Sequence, residues 1–397
     1  MVEAVIVDAI RTPIGRAMRG SLRHKRADDL AAIPLRALVE RNPAVDFAKT
    51  VDILMGCGFP NGEQGYNIGR NAGLLAGIDH HVPATTVNRF CASSLQTLRM
   101  AFHAVAVGEG DQYIAAGVEA VSRFPAYPQF DANPALDGSD GALYDVYIPM
   151  GITAENVAKR CNVTREQQDQ WAVTSQNRAV AAQAAGHFDS EIVAVDTPGA
   201  TEQDREGNTV EVAPATVTKD DGPRPGTTME ALGALKPAFA EDGTVTAGNA
   251  CPLNDGAAAV LVMSAQRASE LGLKPRARII ASSVAAIRPE IMGLGPIPAV
   301  EKVLAQAGMS ITDIDIIELN EAFAAQVVPC MLEWGIDPEQ LNPFGGAIAL
   351  GHPFGMSGAR IMTTLLNDLE TLDKTIGLET MCVAGGQGQA MIIERLN

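Results

Sequence analysis

A cysteine at position 91 sits where a strand pattern gives way to a helix pattern. The segment reads Ala84-Thr-Thr-Val-Asn-Arg-Phe-Cys91-Ala-Ser-Ser-Leu-Gln. Thr85, Thr86 and Val87 form a short β-branched run that stops at Asn88. From Ala92, the apolar residues Leu95, Leu98, Phe102 and Val105 are spaced for one helix face, and Gly108 supplies a stop. A thiol at the start of such a helix faces the positive end of the helix dipole, which favours the thiolate, the nucleophilic form. A buried structural cysteine fits the same local pattern, because free Cys is often buried.

Two C-terminal segments offer chemical partners. One is Asn342-Pro-Phe-Gly-Gly-Ala-Ile-Ala-Leu-Gly-His352-Pro-Phe-Gly-Met-Ser-Gly-Ala-Arg360. The other is Met381-Cys382-Val-Ala-Gly-Gly-Gln-Gly-Gln-Ala390. A third segment, Glu318-Leu-Asn320-Glu321-Ala-Phe-Ala-Ala325, places polar groups straight after the apolar run that begins at Ile314. A Cys, a His and a second Cys in Gly-rich turns point to acyl transfer through a cysteine. The glycines after Cys382 are not a dinucleotide fingerprint, since a strand pattern follows them. Cys57, Cys161 and Cys330 lie on apolar patterns and default to the core. His24, His80, His81, His103 and His187 carry no motif and are assigned no role.

In this order, the Asn-Glu-Ala-Phe block, the Gly-Gly-Ala-Ile-Ala-Leu-Gly-His-Pro block and the Cys-containing Gly-rich block resemble the signatures of the thiolase family. The resemblance runs from Arg11-Thr-Pro-Ile-Gly15 to Ile393. It looks closest to bacterial 3-ketoacyl-CoA thiolases of fatty-acid β-oxidation, through Gln64-Gly-Tyr-Asn-Ile68, Val87-Asn-Arg89 and Ile291-Met-Gly-Leu-Gly-Pro296. It implies thiolysis of 3-ketoacyl-CoA by coenzyme A, a substrate rather than a resident cofactor. Cys91 would be acylated, with the N–H groups of Cys91 and Ala384 as one oxyanion hole. His352 would accept the Cys91 proton, Asn320 would hold a water at the enolate, Cys382 would be acid and then base, and Glu321 would orient the site. Met150, Arg224, Ala247 and Cys251 fall on positions that contact CoA in the family. The likeness also implies a homodimer or homotetramer and a possible hydratase/dehydrogenase partner subunit. Acetoacetyl-CoA thiolysis run as condensation, and a catalytically silent binding subunit, are the competing readings.

Four departures from the family pattern matter. Ala384 stands where a Gly is common, so its N–H serves only if its φ is negative. Phe344 puts a ring near the His352 loop. Met356 replaces a smaller residue and is expected to reshape the acyl pocket. Cys251 replaces a Ser, and a thiol is a weaker hydrogen-bond partner.

The elements that must position these groups follow an α/β pattern. Val51 to Cys57 resembles Ile314 to Asn320, Cys91 corresponds to His352, and Tyr113 to Gly117 corresponds to Leu378 to Cys382, as in a duplicated unit. The resemblance adds a layered αβαβα arrangement of two similar halves. The N-terminal half spans residues 1–120, completed by about 247–270, and the C-terminal half spans 271–397. Residues 121–246 read as an inserted CoA-binding loop domain with helices at 153–160 and 165–185, the latter capped by Thr164. A buried strand at 256–263 returns to the first half.

Composition excludes several alternatives. A chain of 397 residues exceeds one ordinary core. A net charge of −17 argues against nucleic acid and requires any CoA site to be locally basic. Six cysteines in a chain this long read as reduced thiols, without metal-type spacing. No run is long enough to span a membrane, and the strand pattern of Ala4 to Asp8 leaves no room for a signal peptide, so a cytoplasmic location is expected.

Overall fold

The computed structural model describes residues 2–123, 131–203 and 207–397. Its main sheet has ten strands. The N-terminal half supplies β1 (Ala4–Arg11), β2 (Asp52–Gly56), β3 (Ala84–Val87), β4 (Gln112–Ala120) and β5 (Asn254–Ser264). The C-terminal half supplies β6 (Ala277–Ala286), β7 (Ile316–Leu319), β8 (Ile376–Val383) and β9 (Gln387–Arg395). The spatial order is β7-β8-β9-β6-β1-β5-β4-β2-β3, with a two-residue strand at Gly15–Arg16 beside β5.

Outward from the centre, the two halves follow the same path. One runs β1-β5-β4-β2-β3 and the other β6-β9-β8-β7. In both, the two inner pairings are antiparallel and the next is parallel. Each first strand carries a bulge at its fourth residue, Val7 in β1 and Ile280 in β6. The partner of β3 in the second half is reduced to one parallel bridge, Ile317 to Leu341. The duplication read from the sequence is therefore present in the topology. The halves join where Val5 pairs with Arg278 and Ile6 with Ala277.

Each strand face is covered. The β4 residues alternate: Ile114, Ala116 and Val118 join one core, while Tyr113 and Ala115 join another. Leu95, Leu98 and Val105 of α3 (Ser93–Val107) share the middle core with Ile361, Met362 and Leu365 of α8 (Ser357–Thr371). The outer core of the first half contains Leu30 and Leu35 of α1 (Ala27–Arg41) and Ile68 and Ala72 of α2 (Ile68–Leu75). That of the second half contains Val300 and Val303 of α6 (Pro296–Ala307) and Val327 and Val328 of α7 (Ala324–Trp334). The layers run helix, sheet, helix, sheet, helix.

The segment between the halves contributes α4 (Met150–Cys161) and α5 (Arg165–Ala184). Thr164 and Gln167 form a full capping box at the start of α5. The Gly/Asp/Pro-rich stretch that follows is not all loop. It pairs Val195–Thr197 with Ala215–Val217, and Ala200–Gln203 with Thr209–Val212. Residues 124–130 of the expected inserted domain lie outside the described residues.

Gly117 in β4 is where the first turn of α3 and the loop after His352 meet the sheet. A Cβ there would lie 2.0 Å from the Gly355 oxygen and 2.6 Å from Ser94 Cβ. Overpacking of this kind costs about 1–3 kcal/mol. Gly117→Ala is therefore expected to lower the urea midpoint clearly; an unchanged midpoint would contradict the close approach.

Candidate active site

The parallel strands β2, β3, β7 and β8 end on one side of their half-sheets, and the polar segments follow those ends. Beyond β3, Phe90–Ala92 forms a 3-10 turn that leads into α3. Phe90 has φ 44°, in the left-handed region that a bulky residue rarely adopts. The turn is held by Phe90 N–H donating to Asn88 Oδ1 at 2.7 Å and Ser93 Oγ donating to the Phe90 carbonyl at 2.6 Å. It packs against β8 and α8, which brings Cys91 to the strand of Cys382 and to the helix after His352.

Burial pushes the Cys91 thiol well above its ordinary range, and the neighbouring thiols of Cys382 and Cys251 add to this. The N–H groups of Ala384 and of Cys91 itself converge on the sulfur and pull the other way. The thiolate expected from the helix dipole is thus not the resting state. A dipole contributes about 0.3–1 kcal/mol at an exposed site, and full burial outweighs it. Ala384 is not among the residues with positive φ; the tight turn after it is taken by Gly385 and Gly386, at φ 76° and 80°. Its N–H therefore stays available without glycine.

His352 is almost completely buried at 1% exposure, and burial together with Arg360 lowers its pKa to about 3. Its tautomer follows from its partners. Ser357 Oγ donates to the Pro353 carbonyl at 2.8 Å, so it accepts from His352 Nδ1–H at 2.6 Å. Nε2 keeps its lone pair and accepts from Asn320 Nδ2 at 3.2 Å. The backbone N–H of His352 donates to Asn254 Oδ1 at 2.9 Å, which fixes the loop to β5 of the other half. Asn320 Oδ1 is buried without a partner among the described residues.

Burial raises Cys382 to about 12, opposed by its bond to Gln326 Oε1 at 3.0 Å. Beneath these groups lie two buried carboxylates. Glu321 accepts from Trp171 Nε1 at 3.0 Å, Ser175 Oγ at 2.6 Å, Asn342 Nδ2 at 2.8 Å and Ile348 N at 3.1 Å. It ties α5 to the loop before His352. Glu119 accepts from the N–H groups of Gly58 and Gly355, each at 2.8 Å, and from Gln64 Nε2 at 2.7 Å. Burial carries Glu119 up to about 7 against those donors.

The four residues on family CoA positions are spread out. Met150 begins α4 and Cys251 follows Ala250; both are partly buried against the outer core of the second half. The Cys251 thiol is raised by burial and then by Cys382, which places it beside the reactive group. Ala247 is exposed in the turn after Thr246. Arg224 donates its N–H to Gln176 Oε1 at 2.9 Å, and burial lowers its guanidinium pKa. Phe344, on the loop before His352, stacks on His187 with centroids 3.7 Å apart. Met356 is fully buried in the middle core, against Gly256 and Pro353, so it fills the interior and does not shape an acyl pocket.

Gln326, Ser357 and Glu119 were not anticipated from the sequence. Gln326 had a visible signal: it is the polar residue among Ala-Ala-Gln-Val-Val in an apolar helix, and it is fully buried. Ser357 lies on the turn that returns to His352. Glu119 had no local signal.

A buried Cys–His–Cys group in two sheet halves of matching topology defines an enzyme of cysteine acyl transfer. Residues 4–266 match the family described as "Thiolase, N-terminal domain", and residues 273–395 match "Thiolase, C-terminal domain". The chain belongs to the thiolase family and is an acyltransferase. It is 48% identical to a 3-ketoacyl-CoA thiolase of Erwinia tasmaniensis over 403 residues, covering 100% of both chains. It is 47% identical to a β-ketoadipyl-CoA thiolase of Acinetobacter baylyi over 417 residues, again covering 100% of both. The crystal structure of the Bacillus anthracis acetyl-CoA acetyltransferase superposes with a TM-score of 0.87 at 36% identity, covering 100% of this chain and 99% of that one.

The depressed His352 pKa makes a pH prediction. Between its ordinary 6.5 and about 3, the unfolded chain binds a proton at this residue that the folded chain refuses. Stability therefore falls as pH drops through that window, by about 1.4 kcal/mol per pH unit from this group. Relative to wild type, His352→Gln should lose less stability on going from pH 7 to pH 4.5. Parallel curves for the two proteins, measured by urea denaturation, would show that His352 is not buried neutral.

Proposed function

We propose that the chain cleaves 3-ketoacyl-CoA with CoA, giving acetyl-CoA and a shortened acyl-CoA, in fatty-acid β-oxidation. The observation that carries this reading is the tautomer of His352, whose Nε2 lone pair lies beside Asn320 in the same buried group as two thiols. The full-length likeness to a 3-ketoacyl-CoA thiolase supports it.

His352 Nε2 takes the Cys91 proton as the sulfur attacks the 3-keto carbon. The N–H groups of Cys91 and Ala384 hold the resulting oxyanion. The C2–C3 bond breaks and its electron pair becomes the acetyl-CoA enolate. His352 Nε2–H and a water accepted by Asn320 Oδ1 hold the enolate oxygen, and Cys382 donates its proton to C2. The Cys382 thiolate then deprotonates incoming CoA. The CoA thiolate attacks the acyl carbon, and Cys91 leaves and regains its proton from His352. Every group begins neutral, so charge appears only as the reaction proceeds. Arg224 would supply the local cation that the phosphates of CoA need in an acidic protein, and Met150, Ala247 and Cys251 would contact other parts of the CoA.

The two thiols should fail differently. Cys91→Ala removes the only acyl carrier. Cys382→Ala removes only proton transfer, and such groups contribute about 10²–10⁴-fold. Turnover should collapse in both variants, but after acetyl-CoA only Cys382→Ala should show an acetyl adduct, mapped to Cys91 by peptide mass spectrometry. An adduct on Cys382 in Cys91→Ala would reverse the assignment.

A further inference from the structure

We infer that Gln326 is a positioning residue that serves Cys382 in both of its protonation states: its amide accepts from the thiol, then turns over and donates to the thiolate. This rests on the thiolysis reading above and accounts for how one buried group acts first as acid and then as base.

Gln326 lies in α7 within Ala-Ala-Gln-Val-Val, between apolar residues, and is fully buried. Its Oε1 lies 3.0 Å from Cys382 Sγ, so the thiol donates and the amide oxygen accepts. Its Nε2 is buried with no partner among the described residues. A side-chain amide carries an acceptor at one end and two donors at the other. Only the acceptor end is used here, and a buried donor left idle is costly. A half-turn about the last side-chain bond exchanges the two ends. It breaks no side-chain hydrogen bond except the one to Cys382.

The fold holds the pair together. The 3-10 segment Pro289–Leu294 packs against α7, β8 and β9. A Cβ on Gly293 would lie 2.9 Å from Gln326 Cβ, so glycine there leaves the side chain its place. A Cβ on Gly295 would lie 2.1 Å from the Gln387 oxygen, at the start of β9. The Ile291-Met-Gly-Leu-Gly-Pro296 motif thereby seats α7 beside the strand pair that carries Cys382.

The reaction creates the need for a donor. When Cys382 gives its proton to C2, the S–H electron pair stays on sulfur. A thiolate is then left in a dry site until CoA returns a proton to it. The proton lost by Cys91 sits on His352, so the site as a whole stays neutral. Burial opposes the Cys382 thiolate, and the groups that favour it are Gln326 and its own backbone N–H; none is a cation. The neighbouring thiols Cys91, Cys251 and Cys330 are themselves raised by Cys382 and supply no positive charge. A carbonyl oxygen facing the thiolate repels it, whereas the amide nitrogen hydrogen-bonds it. Turning the amide over converts the first arrangement into the second.

A double-mutant cycle on acetoacetyl-CoA thiolysis tests the role. Gln326→Met keeps the length of the side chain and removes both ends of the amide. It should lower kcat by about 10-fold or more in the enzyme that retains Cys382, and by less than about 2-fold in the Cys382→Ala background. Gln326→Glu, nearly the same shape, guards against a misfolded Met variant. While protonated, its carboxyl still accepts from the thiol and donates to the thiolate; once ionised it only accepts, and its charge opposes the thiolate. Thiolysis by this variant relative to wild type should therefore fall by about 10-fold or more as pH rises from about 6 to about 8.5. Equal losses for Gln326→Met in the two backgrounds, or a Gln326→Glu ratio that does not change with pH, overturns the role while leaving thiolysis standing. No thiolysis of acetoacetyl-CoA by wild type overturns the functional reading and the role with it.

Discussion

The Glu119 carboxylate holds together loops that are far apart in sequence. It sits on β4 with no exposure and accepts N–H bonds from Gly58 and Phe59 on one side and Gly355 on the other. The first two belong to the N-terminal half and the third to the His352 loop of the C-terminal half. Gln64 adds a fourth donor. Buried N–H groups left without an acceptor cost about 1–3 kcal/mol each, so this one side chain enforces the meeting of the two halves. Gly117, two residues away on the same strand, removes the side chain that would keep the His352 loop from settling there. The reactive group forms at the join, with Cys91 from one half and Asn320, His352 and Cys382 from the other.

The second constraint is dryness. Cys91, Cys382 and His352 are each held in the neutral form by burial. A dry site strengthens every fixed dipole within it, so the N–H groups on Cys91 and the amide of Asn320 matter more there than they would in water. It also sets the order of events in the proposed reaction: the nucleophile would not be stored as an anion but made when a proton moves to His352. The Ser357 hydroxyl ensures that the lone pair of His352 is the one facing Asn320.

Much of this was legible in the sequence, for a physical reason. The candidate side chains sit in or beside glycine-rich segments that break the apolar pattern: Cys91 and Asn320 just beyond strands, His352 after the short helix Ala347–Leu350, and Cys382 near the end of β8. Those signals mark Cys91, Asn320, His352 and Cys382 locally. The duplication was legible because Val51 to Cys57 and Ile314 to Asn320 are matching strands, but not the loss of the second-half counterpart of β3 at Leu341, where a strand shrinks to one bridge. What stayed hidden was tertiary. Met356 reads as a pocket residue by position, yet its side chain points into the middle core. Phe344 is near His352 in sequence and stacks on His187 in space. The protonation state of Cys91 was misjudged because the helix dipole is local and visible, whereas burial depends on everything packed around it.

The most direct test of the account is the alkylation rate of Cys91 by iodoacetamide as a function of pH, in wild type and in His352→Gln, with the site mapped by peptide mass spectrometry. If proton transfer to His352 creates the nucleophile, Cys91 in wild type reacts near neutral pH, and the variant reacts at least about 10-fold more slowly there and recovers only at alkaline pH. Equal rates in the two proteins at neutral pH would mean that Cys91 is a thiolate in its own right, and the neutral site described above would be wrong.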